Sequence, residues 1–131
     1  LGEIYLDMFF TYSKAKRTQK LSEANLGIAI DHMEFIKTLV DKTDKDLIVI
    51  GDLNMSAVSK RFNKFLKDTN LYTFISYKNF TSTWPTFLPQ FLGIQIDHVL
   101  FSKHFKVIRK KANNNRISDH RALIVDLAYL K

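Results

Sequence analysis

Three short polar clusters in this sequence have residue types suited to chemistry, and each lies where an apolar run stops or starts. Gly51-Asp52-Leu53-Asn54 directly follows the run Leu47-Ile48-Val49-Ile50. Gly51 permits a sharp turn, and side chains two apart in an extended chain, Asp52 and Asn54, project to the same side. The same Asp-X-Asn pattern also serves as a turn or a helix cap. Ile96-Asp97-His98-Val99-Leu100 sets an acid inside an apolar stretch, where burial is costly unless something pairs with the carboxylate. Alternation sends Asp97 and His98 to opposite faces, which makes Asp97 the functional candidate and His98 a structural strand histidine. Ser118-Asp119-His120 leads into a further apolar run. An imidazole held by a carboxylate carries a proton or stabilises developing charge near neutral pH, although an isolated Ser-Asp-His also reads as a plain turn.

The elements that must position these groups follow from hydrophobic periodicity. Residues 4–10 are apolar and aromatic and predict a buried strand ending near Thr11 and Tyr12. From 23 to 41, Leu26, Ala29, Ile30, Met33, Ile36 and Val40 fall on one helical stripe. The β-branched run at 47–50, stopped by Gly51, has the profile of a central strand buried on both faces. A second helix is expected over 58–68 with Phe62, Phe65 and Leu66 inward. Weaker strand candidates lie at 71–75 and 81–84, and Pro85 and Pro89 bracket a loop running to Gly93. Three more strands are expected at 94–102, 105–111 and 122–130, with the Asn113-Asn114-Asn115 turn before the last. Strand, helix, strand in this order suggests a layered α/β arrangement, and no repeat or linker divides the chain.

Composition narrows the possible functions. The 131 residues suffice for one core, and hydrophobic residues make up 46% of them. There is no cysteine, so a thiolate nucleophile, a disulfide framework and Cys-ligated zinc are excluded. No apolar stretch approaches the roughly 20 residues of a membrane-spanning helix, and the opening Leu1-Gly2-Glu3-Ile4 lacks the basic start of a signal peptide. A cytoplasmic location is the corresponding expectation. The formal charge of +7 gathers in two basic clusters. One holds Lys14, Lys16, Arg17 and Lys20; the other runs from Lys103 through Lys106, Arg109, Lys110 and Lys111 to Arg116. Such clusters attract polyanions or simply form a solvated face.

Taken together, Gly-Asp-Leu-Asn, Ile-Asp-His-Val and Ser-Asp-His, in this order and each beside an apolar strand, resemble the endonuclease/exonuclease/phosphatase superfamily. The segment Ser82-Thr83-Trp84-Pro85 is also similar to its bacterial members. The resemblance runs from about Tyr12 onward and implies a metal-dependent phosphoesterase acting on phosphodiester or phosphomonoester bonds. It implies a role for each matching residue. Asp52 contacts the attacking water or the metal, and Asn54 orients that water and bonds the phosphoryl group. His120, held by Asp97, carries a proton or stabilises charge beside the scissile phosphate. Asp119 lies at a divalent metal, Mg²⁺ or Mn²⁺, and Tyr12 either directs its hydroxyl to the phosphate or is an amphipathic tyrosine ending a strand. The residue types suit the reaction, because hydrolysing a negative phosphoester needs a hard cation, an aligned water and charge-neutralising donors.

The resemblance covers only the C-terminal half of such a domain. The Asn and the principal metal-binding Glu of the first half have no counterpart before Tyr12. The fold expected is therefore half of a layered α/β sandwich, an α+β arrangement of one mixed or antiparallel sheet with helices on one face, over residues 1–131. One sheet face should be apolar and exposed, inviting a homodimer or a partner chain. Two other readings compete with catalysis by this chain alone: a remnant that binds nucleic acid or another polyanion without cutting it, and a protomer completed by a partner. Arg17 either faces the phosphate or is solvated, the latter favoured, and Trp84 either rims the substrate cleft or packs, the latter favoured. His32 and His104 show no partner in the sequence.

Overall fold

Apolar residues at helical spacing place Met33, Ile36 and Val40 on one side of the first helix, α1 (Leu21–Asp41). The computed structural model describes residues 21–74, 81–113 and 117–130. The expected strand at 4–10, Tyr12 and Arg17 lie outside the described residues. After α1 come β1 (Ile48–Asp52), α2 (Lys60–Thr69), β2 (Tyr72–Thr73), a 3-10 turn (Gln90–Leu92), β3 (Asp97–Phe101), β4 (Phe105–Asn113) and β5 (Ala122–Tyr129). The chain is an α+β fold with antiparallel pairing throughout the described strands.

The second helix starts two residues later than its periodicity suggests, for a local reason. Ser59 is extended, and its hydroxyl accepts the Phe62 amide at 3.1 Å, so it caps the helix instead of joining it. Asn70 closes the other end in a left-handed conformation. Phe62 and Phe65 turn inward as expected, with Leu66 partly buried.

The strands form a three-stranded sheet ordered β1-β3-β2 and a separate β4-β5 hairpin. β1 is therefore an edge among the described residues, not the central strand its apolar run suggests, and Ile50 is 45% exposed. A short β-branched run looks the same in sequence whether a strand or a helix covers it. Residues 81–84 do not form a strand; the N–H groups of Thr83 and Trp84 both donate to the Ile94 carbonyl, at 2.9 and 3.0 Å. One isolated bridge results.

Two apolar clusters sandwich the three-stranded sheet. On one face, Val49 and Leu100 meet Met33 and Ile36 of α1, Phe62 and Phe65 of α2, and Leu53, Met55 and Ala57 of the connecting turn. On the other, Val99 and Phe101 pack with Phe105, supported by Ile48, Phe74, Val107, Leu123, Val125 and Leu127. The helices thus lie on one face, as expected. A register shift after Val107 leaves Ile108 without a partner across the hairpin. Ile50, Ile108 and Ile124 remain large exposed apolar residues on the strands.

The open end of the β4-β5 hairpin, away from its turn, carries a contact the sequence concealed. His104 Nδ1 lies 2.8 Å from Asp46, whose carboxylate also accepts the Tyr129 hydroxyl at 2.9 Å. His104 is therefore paired, joining the loop before β1 to the ends of β4 and β5. No helix among the described residues is long and apolar enough to cross a membrane.

Candidate active site

Antiparallel register places Asp52, the last residue of β1, directly opposite Asp97, the first of β3. Facing residues on neighbouring strands share a sheet face, so the two acids are brought side by side. His120 enters from the segment before β5, and its Nδ1 lies 2.9 Å from Asp97 Oδ2. Because a carboxylate only accepts, Nδ1 donates, and Nε2 is left as the ring atom that accepts a proton. One potential ligand atom from each of Asp52, Asp97 and His120 lies within 4.8 Å of the others. All three side chains are partly buried. Two carboxylates and an imidazole at this spacing could hold a metal ion.

The electrostatics agree with this crowding. Burial, the largest effect, pushes the Asp52 carboxyl above its usual range; the Asn54 amide pulls it down and the neighbouring Asp97 charge pushes it up again. His120 is raised, first by its hydrogen bond to Asp97, against the opposing effect of burial. The charges of Asp97, Asp52 and Asp119 reinforce that rise. A carboxyl raised by burial beside a second acid is a natural seat for positive charge.

Asn54 is positioned by a turn instead of by strand alternation. β1 ends at Asp52, Asn54 takes a left-handed backbone conformation with φ 49°, and its N–H donates to Asp52 Oδ1 at 2.8 Å. Asparagine tolerates that conformation better than most residues. Asp119 stands next to His120 but outside the three-residue cluster, exposed, with the Trp84 indole N–H donating to it at 3.3 Å. Trp84 thus sits at the rim of the site. Thr86 joins it there, bonding the Asp119 and Ser118 carbonyls at 2.9 and 2.8 Å.

His98 lies on the other face, as alternation requires. It is 1% exposed, its Nε2 donates to the Met55 carbonyl at 2.7 Å, and its ring lies 4.3 Å from that of Phe62. Burial lowers its pKa to about 4, so it is a neutral core group. His32, on α1, contributes a small pull on Asp52 and shares a cleft with Val49, Gly51 and Leu53.

The sequence signals missed Thr83 and Arg121. Both are buried: Thr83 bonds the backbone amides of Asp97 and Arg121, and Arg121, next to His120, bonds Ser82 and Leu88. An arginine set between Ser-Asp-His and an apolar strand was the available hint, since a guanidinium entering a core must be bonded.

Comparison with known proteins places these features in context. The profile of the endonuclease/exonuclease/phosphatase family matches residues 10–120. No curated protein matches the sequence. Among solved structures, the chain is similar to a mannosyl-6-phosphatase from Bacteroides thetaiotaomicron, with 23% identity and a TM-score of 0.59 over 82% of this chain and 46% of that one. It is similar to the human Nocturnin catalytic domain with bound sulfate, with 20% identity and a TM-score of 0.58 over 87% of this chain and 44% of that one. Beta toxin from Staphylococcus aureus matches with 17% identity and a TM-score of 0.53, over 95% of this chain and 52% of that one. At these identities the likeness is one of fold. The chain spans about half the length of the structures it matches.

Proposed function

Since the chain belongs to the endonuclease/exonuclease/phosphatase family, we propose that it supplies the C-terminal half of a divalent-metal-dependent site that hydrolyses phosphoester bonds. The observation that carries this reading is the convergence of Asp52, Asp97 and His120, with ligand atoms within 4.8 Å of one another, at the junction of β1, β3 and the entrance to β5.

Asp52 and Asp97 would hold Mg²⁺ or Mn²⁺, and Asp119 adds negative charge beside them. When bound, such an ion neutralises phosphoryl oxygens and makes a nearby water more acidic. The protein's own part is positioning and proton transfer. Asp97 fixes the imidazole through Nδ1, so His120 can exchange a proton at Nε2 or, as imidazolium, stabilise charge on the phosphoryl group. Asn54, held in its turn by Asp52, offers a side-chain amide to orient the water or a phosphoryl oxygen. Tyr12 would add a hydroxyl toward the phosphate. The net charge of +7 favours nucleic acid as the phosphoester.

A second reading concerns completeness. The chain spans about half the length of its structural relatives, and Ile50, Ile108 and Ile124 are exposed on its strands. Both facts support a domain finished by further sequence or by a partner chain, which would bring the remaining metal ligand. The test is release of nitrophenol from a chromogenic phosphodiester in Mg²⁺, with EDTA as control. The assay is run on this chain alone and with the complementary half-domain of a relative added. Metal-dependent turnover in either arm supports the proposal. Its absence from a demonstrably assembled domain overturns it, and turnover only after addition favours the completed form.

A further inference from the structure

We propose that Thr83 is a positioning residue that sets the Asp97–His120 pair by binding both chain segments that deliver it. What the pair does rests on the phosphoesterase reading; how it is held does not.

Thr83 is 0% exposed and lies on the segment 81–84. Its hydroxyl oxygen accepts the amides of Ile96 at 3.1 Å and Asp97 at 3.2 Å. These are the residues at which the chain enters β3, so the hydroxyl fixes the backbone from which the Asp97 carboxylate projects. The Thr83 carbonyl, in turn, accepts the Arg121 amide at 2.7 Å. Arg121 follows His120 directly, so that bond fixes the backbone from which the imidazole projects. A single buried residue therefore spans the two halves of the 2.9 Å Asp97–His120 hydrogen bond, whose members are 23 positions apart in sequence.

The surroundings hold Thr83 in place. Its own N–H donates to the Ile94 carbonyl at 2.9 Å. The buried Arg121 guanidinium grips the same segment from the far side, donating to Ser82 Oγ at 3.0 Å and the Leu88 carbonyl at 2.5 Å. Gly93 is needed for the close approach: a methyl group there would strike the Ser82 side chain and come within 2.7 Å of the Trp84 carbonyl. The Gln95 side-chain amide adds a bond to the Asp97 carbonyl at 3.1 Å.

Removing only the hydroxyl leaves two amides at the start of β3 without their acceptor. Unpaired buried donors are costly, so the segment shifts to satisfy them and carries Asp97 with it. Sub-ångström displacement suffices to weaken a charge-assisted hydrogen bond and the catalysis that depends on it.

The test compares Thr83→Val, which keeps the shape and loses the hydroxyl, with Thr83→Ser, which keeps the hydroxyl. The readout is the ¹⁵N chemical shifts of the His120 ring nitrogens at fixed pH, which report whether Nδ1 carries a hydrogen-bonded proton. No substrate or metal is needed, so the result stands apart from any failure to hydrolyse phosphoesters. Thr83→Val should move the His120 shifts to those of Asp97→Asn, while Thr83→Ser keeps the wild-type signature. Where turnover is measurable, Thr83→Val should lower kcat roughly 10- to 100-fold with KM nearly unchanged, and Thr83→Ser should restore it. A folded Thr83→Val with wild-type His120 shifts overturns the proposal. Should Thr83→Val not fold, Thr83→Ser decides: retained shifts support it and altered shifts overturn it.

Discussion

Asp97→Asn and His120→Ala should each reduce metal-dependent phosphoester hydrolysis by about 10²- to 10⁴-fold while the protein stays folded. The two substitutions remove different things. Asp97→Asn keeps the shape but withdraws the charge that fixes the His120 Nδ1 proton and helps to raise the imidazole pKa. It also withdraws one of the two carboxylates proposed to hold the cation. His120→Ala removes the proton carrier itself and leaves Asp52 and Asp97 in place. Because Asp97 acts in part through His120, the loss in the double variant should fall well short of the product of the two single losses. The comparison is made by steady-state assay of the assembled domain, with circular dichroism to establish folding. Independent, multiplying losses would mean that the two residues do not act as a unit.

Acid should destabilise the protein through His98 by about 3 kcal/mol between the ordinary histidine pKa near 6.5 and the lowered value near 4. The direction follows from proton binding. Over that window the unfolded chain takes up a proton on His98, while the folded protein keeps the ring neutral under Phe62 with Nε2 bonded to the Met55 carbonyl. Stability is fully present above pH 6.5 and is lost as pH falls toward 4. His120 acts in the opposite sense. Its folded pKa is raised, so the stability from its bond to Asp97 is present below the ordinary value and is lost as pH rises through the raised one. Urea denaturation across pH 4–7.5 separates the two. His98→Gln, which retains a donor for Met55, should flatten the acid limb by about one proton's worth of slope, roughly 1.4 kcal/mol per pH unit at most. An unchanged acid limb in that variant would show that His98 is not the titrating group.

The legibility of the site divides by how each residue does its work. Asp52, Asp97 and His120 were visible because a charged or titratable group beside an apolar strand needs a reason. The separation of Asp97 from His98 was visible because strand alternation is a fixed geometry. The bonding of Thr83 was not visible, although its segment carried part of the resemblance: the residue is neutral, it bonds backbone amides, and those amides lie 13 and 14 positions away. Nor was the pairing of His104, whose partner Asp46 is separated from it by 58 positions and approaches because β1 and β3 pair antiparallel, with Ile48 opposite Phe101. Helix periodicity gave α1 and α2 nearly to their ends, with Ser59 displacing one boundary by a side-chain bond. Strand assignments were weaker wherever pairing was decided elsewhere. The apolar run at 47–50 became an edge of the described sheet, and residues 81–84 spent their N–H groups on the Ile94 carbonyl. Asp119 is a local neighbour of His120 in sequence, yet its contact with Trp84, 35 positions away, holds it at the rim.

Asp52 and Asp97 are proposed to hold one divalent cation beside His120. Paramagnetic broadening by Mn²⁺ in the ¹H–¹⁵N spectrum of the folded chain measures this most directly, since it needs neither substrate nor turnover. Substoichiometric Mn²⁺ should first erase the amide signals of residues near positions 52, 97 and 120, added Mg²⁺ should restore them, and Asp52→Asn should abolish the effect. Broadening that is uniform, or centred on acidic residues elsewhere such as Asp41, Asp44 and Asp46, would contradict the account.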